Sequence, residues 1–156
     1  MSYISDKITE IQSTLRQGVT LLAVSKFHPA EKIQQAYDAG HRSFGESRPQ
    51  ELKAKYDALP KDIKWHMIGH LQTNKVKSIV GEVDMIQSVD SERVAAAIDT
   101  ASVTRGITTD VLIEVNVGRE PQKSGVLPEE LPILLEKTAS MRGVRVKGLM
   151  TVPPIL

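Results

Sequence analysis

Among 156 residues, one lysine stands where chemistry is easiest to picture. Lys26 closes the apolar run Thr20-Leu21-Leu22-Ala23-Val24-Ser25 and precedes Phe27-His28-Pro29, which places an amine where a buried strand should emerge. Burial would strip water from its ammonium, disfavour the charged form and leave a nucleophilic amine that condenses with aldehydes. The ordinary alternative is a strand-end lysine that extends its charge into solvent.

Other reactive types fall at further strand ends: Glu46, His66 with His70, Asp90, Asn116 and Thr151. His66 and His70 have the i, i+4 spacing of a helical zinc pair, but they sit in a strand-and-turn context with no nearby acidic ligand, so no metal site is expected. Asp90 before Ser91-Glu92 reads as a strand end leading into a helix N-cap. Lys123, ahead of Ser124-Gly125, should lie in a loop at the same mouth as Lys26, where it is either a candidate contact for a bound aldehyde cofactor or a solvated loop lysine. Met150, sharing a strand face with Val146 and Gly148, could pack beneath a flat ring or belong to the ordinary core. Strand alternation puts Leu112, Glu114 and Asn116 on one face; if that face is interior, Lys26 is a candidate partner for the Glu114 charge, and otherwise Glu114 faces a helix or solvent.

The elements that would position these groups follow from periodicity. Ile4, Ile8, Ile11 and Leu15 recur at helical spacing before Gly18. Apolar or β-branched runs then start near Thr20, Arg42, Lys64, Met85, Asp110 and Val144, at near-regular intervals. Helical patterns separate them: Ile33 with Ala36 and Tyr37; Leu52, Tyr56 and Leu59; Val76, Ile79 and Val80; Val94, Ala97, Ile98 and Ala101 behind Ser91; and Leu131, Leu134 and Leu135 behind Pro128. Alternating β and α units imply parallel strands with right-handed crossovers. Length suits a doubly wound open sheet, since a (β/α)8 barrel typically needs about 250 residues. The first βα turn lacks a glycine-rich phosphate cradle, and polar groups at nearly every strand end suit a barrel mouth.

Composition excludes several classes. With 40% hydrophobic and 25% charged residues, the chain is in the range of one soluble globular domain. A net charge of +1 with interspersed signs argues against nucleic acid or an anionic membrane as partner. The absence of cysteine excludes disulfides and thiolate chemistry. No run approaches the length of a membrane span, so a cytoplasmic protein is expected.

Six collinear blocks carry a resemblance: Leu22-Ala23-Val24-Ser25-Lys26, Phe44-Gly45-Glu46, Trp65-His66-Met67-Ile68-Gly69, Leu71-Gln72-Thr73-Asn74-Lys75, Lys123-Ser124-Gly125 and Gly148-Leu149-Met150-Thr151-Val152-Pro153. Together they resemble the pyridoxal phosphate homeostasis proteins, also described as proline-synthetase co-transcribed homologues. The resemblance implies an α/β fold, a parallel TIM-type barrel like the alanine racemase N-terminal domain. It implies pyridoxal 5'-phosphate (PLP) held on Lys26 as an internal aldimine, and a role in balancing B6 vitamers and amino acids, without a defined turnover reaction. The partners implied are PLP itself and apo PLP enzymes.

Ser47 stands where relatives commonly carry asparagine, and His70 where they often have proline. The chain stops just after the sixth strand, whereas relatives continue through two βα units that supply the phosphate contacts. Residues 1–156 are therefore expected to be a single, incomplete barrel of about six βα units. Losing three charge-assisted contacts would cost roughly 4–9 kcal/mol. Two enzyme classes compete with the carrier reading. A PLP-dependent racemase needs a second base, for which Tyr3, Tyr37 and Tyr56 are badly placed, and a lysine Schiff-base aldolase needs a sugar-phosphate site.

Overall fold

The computed structural model describes residues 3–155, so Met1, Ser2 and Leu156 of the expected unit lie outside the described residues. An opening helix, α1 (Tyr3–Thr14), leads into strand β1 (Ala23–Val24) and helix α2 (Ala30–Asp38). Four further alternations follow: β2 (Ser43–Glu46) with α3 (Pro49–Ala58), β3 (Lys64–Met67) with α4 (Val76–Ile79), β4 (Met85–Val89) with α5 (Glu92–Thr104), and β5 (Thr109–Glu114) with α6 (Leu131–Ala139). Strand β6 (Val144–Met150) comes last.

Local chemistry sets these boundaries. Pro49 occupies the first turn of α3, where its missing N–H costs nothing. Ser91 caps α5, its hydroxyl accepting from the Val94 amide at 3.2 Å. A 3-10 turn, Pro128–Glu130, leads into α6.

The six strands are all parallel and pair in chain order. One register row crosses the whole sheet through Val24, Gly45, His66, Met85, Asp110 and Arg145, which share one face. The opposite face presents Phe44, Trp65, Ile86, Val111 and Ile113 to the helices, where they meet Ile33, Leu52, Ile79, Ala95, Ile98 and Leu134 in the core. Trp65 and Phe44 are almost fully buried, worth about 2–3 kcal/mol each in area removed from water.

The sheet is an arc and not a closed barrel. β1 and β6 each have one strand neighbour, and Val24 and Leu149 are exposed. The register of β6 shifts between Val111 and Leu112, so Val146 pairs with Val111 on the helix side while Gly148 and Met150 pair with Leu112 and Glu114 on the inner side. Strict alternation had put Val146 on the face of Met150. The extra residue of the bulge moves it to the other face.

Candidate functional site

The carboxyl ends of the strands define one rim. Lys26 lies there, two residues after β1, in a turn closed by the His28 amide donating to the Ser25 carbonyl at 3.0 Å. Ser25 continues the ladder through its own amide to Gly45 and turns its hydroxyl toward Glu46, which leaves Lys26 on the inner side with Val24. Its side chain is exposed and lines none of the cavities described here. The expectation of a dry amine is thereby corrected. Among the described residues β1 is an edge strand, with β2 as its one strand neighbour.

The buried lysine is Lys55, on α3. Its Nζ donates to the Ser25 carbonyl at 2.8 Å, to Glu46 Oε2 at 2.9 Å and to Glu51 Oε2 at 2.9 Å. Glu46 is completely buried, on the helix side of β2, and its Oε2 also accepts a short hydrogen bond from Ser25 Oγ. Glu51 Oε2 further accepts the Phe27 amide at 2.7 Å, at a residue held in the left-handed region with φ 66°. The Lys55 hydrogen bond holds the Glu51 carboxyl below its usual range, against the opposing effect of burial.

This trio could have been found from pattern. Lys55 falls on the apolar stripe of α3 between Leu52 and Leu59, and Glu46 alternates with buried Phe44, so each charge needs a buried partner. Glu46 therefore lies beneath the rim and does not line it.

Across the arc, Glu114 is buried at the end of β5, and its carboxylate accepts from Ser124 Oγ at 3.3 and 3.4 Å. The expected pairing with Lys26 gives way to this hydroxyl. Burial pushes the Glu114 carboxyl above its usual range, and the nearby Asp90 charge adds to the shift. Asp90 accepts the Gly125 amide at 3.0 Å, latching the loop after β5 onto β4, while Ser91 alone provides the α5 cap. Asn116 closes the same loop on itself through both atoms of its amide, to the Glu120 carbonyl and amide. Lys123 sits in that loop, paired with Glu120 at 2.8 Å, and helps line a cavity of about 290 Å³ with Glu114, Asn116, Ser124 and Val152. Met150 is half-buried on the inner side, opposite Glu114. Thr151 donates to the Val115 carbonyl at 2.8 Å, fastening β6 to β5.

His66 lies on β3, its Nδ1 3.0 Å from Gln87 Nε2, which donates and thereby assigns the ring proton to Nε2. Burial lowers its proton affinity. His70 is exposed on the loop beyond. Among the described residues, no group of three or more histidine, aspartate or glutamate side chains could hold a metal ion. A hollow of about 470 Å³ lies at the opposite end of the strands, lined by Arg16, Thr20, His41 and Ser43.

All three tyrosines are on helices. Tyr37 Oη donates to Asp62, and Arg42 stacks 3.7 Å from its ring centroid; Lys61 lies 4.3 Å from the Tyr56 ring centroid, and Tyr3 is exposed on α1. Among the described residues, no helix is long and apolar enough to cross a membrane.

Comparison with known proteins places this geometry. Residues 1–155 match the family model described as alanine racemase, N-terminal domain. The pyridoxal phosphate homeostasis protein of Aquifex aeolicus is 48% identical over 137 residues, covering 87% of this chain and 60% of the relative. Its counterpart in Schizosaccharomyces pombe is 38% identical over 162 residues, covering 99% of this chain and 68% of the relative. The chain thus spans about three fifths to two thirds of these curated relatives. PipY of Synechococcus elongatus, solved with PLP bound, superposes with a TM-score of 0.89 at 36% identity, covering 98% of this chain and 72% of that one. Alanine racemase of Clostridium difficile shares the fold alone, at TM-score 0.81 and 14% identity over 95% of this chain and 39% of that one. With an open six-stranded parallel arc, a lysine at the end of its first strand and these relatives, the chain belongs to the alanine racemase N-terminal domain family, among its pyridoxal phosphate homeostasis proteins.

Proposed function

We propose that this chain binds PLP, holds it as a Schiff base on the Nζ of Lys26, and serves vitamin B6 and amino-acid homeostasis as a carrier, with no turnover reaction of its own. The observation that carries the reading is an exposed primary amine at the inner end of β1, in a chain 36% identical to PipY, which has been solved with PLP bound. An aldehyde needs an amine donor, and Lys26 presents one without a salt-bridge partner among the described residues. PLP supplies an electrophilic aldehyde and an electron-accepting ring. Attack by the unprotonated Nζ forms a carbon–nitrogen bond, and the departing water carries the carbonyl oxygen and both amine hydrogens.

The rest of the rim fits holding and exchange better than catalysis. Lys123 could meet the cofactor's negative charge from its loop, and Met150 could pack beneath a flat ring from β6. A racemase would need a second base at the rim. The tyrosines lie on helices, each with a charged neighbour against its ring, which weighs against that alternative. The aldolase alternative needs a sugar-phosphate site in addition to the amine. A cytoplasmic setting belongs to the same reading.

Titration with PLP should produce the absorption band of an imine. That band should disappear in Lys26→Ala. Persistence of the full band in Lys26→Ala would reject Lys26 as the attachment point.

A further inference from the structure

The peptide units on both sides of Lys26 are tied to one buried ion cluster. Before it, the Ser25 carbonyl accepts from Lys55 Nζ at 2.8 Å, and the Ser25 hydroxyl donates to Glu46. After it, the Phe27 amide donates to Glu51 Oε2 at 2.7 Å. The same Glu51 oxygen accepts from Lys55 Nζ, so a single cation joins the two anchors. Lys26 itself touches none of these groups; its backbone is held and its side chain is left to the solvent.

Phe27 explains why a clamp is needed. A φ of 66° is unfavourable for a residue with a Cβ, and such a conformation persists only when its surroundings impose it. The carboxylate of Glu51 imposes it through a charge-assisted hydrogen bond to the Phe27 amide. The Phe27 ring lies exposed with the Arg48 guanidinium 4.8 Å from its centroid, a contact open to solvent and correspondingly weak.

We propose that Glu51 and Lys55 are positioning residues that act through the Ser25–Phe27 backbone to aim the amine of Lys26 along the inner side of the arc. This rests on the reading of Lys26 as the attachment point. Orientation fixed before binding would set Lys26 apart from the other solvated lysines, because both of its flanking peptide units are held. A turn that samples the aimed geometry only part of the time weakens apparent affinity by that fraction. Lys55 is excluded as a competing nucleophile, because its three hydrogen bonds occupy all three ammonium protons.

The test uses Glu51→Ala, with Glu51→Gln as the conservative rescue, since Glu51 is partly exposed and its loss leaves no buried charge except the already paired Lys55–Glu46. Two readouts are taken on the full chain. The first is amide hydrogen exchange at Phe27 without cofactor. The second is the distribution of borohydride-fixed label after incubation with PLP, read by peptide mapping. Glu51→Ala should speed exchange at Phe27 and cut Lys26 labelling about tenfold or more at subsaturating PLP, while other lysines label as before. Glu51→Gln, which keeps an oxygen acceptor for the Phe27 amide, should recover most of both.

If Glu51→Ala melts below the assay temperature, Glu51→Asp reads the same quantities, because it withdraws the carboxylate by one methylene and should also lose Lys26 labelling. Unchanged Lys26 labelling in a folded Glu51→Ala or Glu51→Asp protein would overturn the clamp while leaving Lys26 as the attachment point. Label on a different lysine in the parent protein would instead reject the underlying functional reading.

Discussion

Glu114 brings a carboxylate to the inner end of β5, where burial first, then the Asp90 charge, raise its proton affinity against the opposing Ser124 hydrogen bond and His70 charge. A group whose folded value is raised above its ordinary 4.5 favours folding below that value and loses the contribution as pH climbs through the folded one. Glu114→Gln should therefore stabilise the protein at neutral pH, by roughly 1 kcal/mol or less, and lose that advantage near pH 4. Thermal melts at the two pH values decide it, and equal midpoints for parent and variant at pH 7 would remove the asserted cost. Alternation placed Lys26 at a strand end and offered the inner face for Glu114 beside a helix-facing or solvated one. Their partners were not legible, because a strand pattern gives the face of a residue and not the loop that folds back over it. Ser124 reaches Glu114 from ten residues downstream, and Lys55 reaches Ser25 from thirty.

At the level of elements, Gly69 marks how tightly the rim is assembled. A Cβ there would lie 2.6 Å from the Ser47 carbonyl oxygen and 2.8 Å from Ser47 Cβ, so the loop after β3 presses on the end of β2 with no flexible atom to yield. Gly69→Ala should lower stability by about 2–3 kcal/mol, comparable to overpacking a core, and weaken PLP binding by shifting the strand end that carries Glu46. Denaturant melts and PLP titration read the two effects, and a stability loss under 0.5 kcal/mol would show that the contact relaxes freely. Ser91→Ala should cost about 1 kcal/mol through its cap on α5, measured the same way, without altering PLP titration.

The six strand starts and the helix stripes were readable because parallel strands buried against helices repeat the same apolar signal. β1 is shorter than its apolar run, because only Ala23 and Val24 are in register with β2, with one further ladder bond from Ser25, before the chain turns at Lys26. The bulge in β6 escaped periodicity, since one inserted residue leaves the composition unchanged while reversing which face follows.

For the whole molecule, the charges that titrate with acid mostly act in one direction. Burial lowers the proton affinity of His41 and of His66, and a hydrogen bond from Lys55 lowers that of Glu51. Groups with depressed folded values stabilise above their ordinary values and lose that contribution as pH falls through the folded ones. The melting temperature should accordingly begin to fall below about pH 6.5, where unfolded histidine takes up protons, and fall further once Glu51 protonates. Scanning calorimetry from pH 8 to 4 checks this, and a midpoint flat between pH 7 and 5 would contradict it.

The arc explains why site chemistry was less legible than fold. Polar strand ends look equivalent in sequence, yet Glu46 serves the helix layer, Asn116 and Thr151 fasten backbone, Asp90 latches a loop, and Lys26 is left exposed at the rim. The most direct measurement is peptide mapping after the protein is incubated with PLP and treated with borohydride. One dominant reduced adduct is expected, on the peptide containing Lys26. A label spread evenly over surface lysines, or concentrated on any other one, would contradict it.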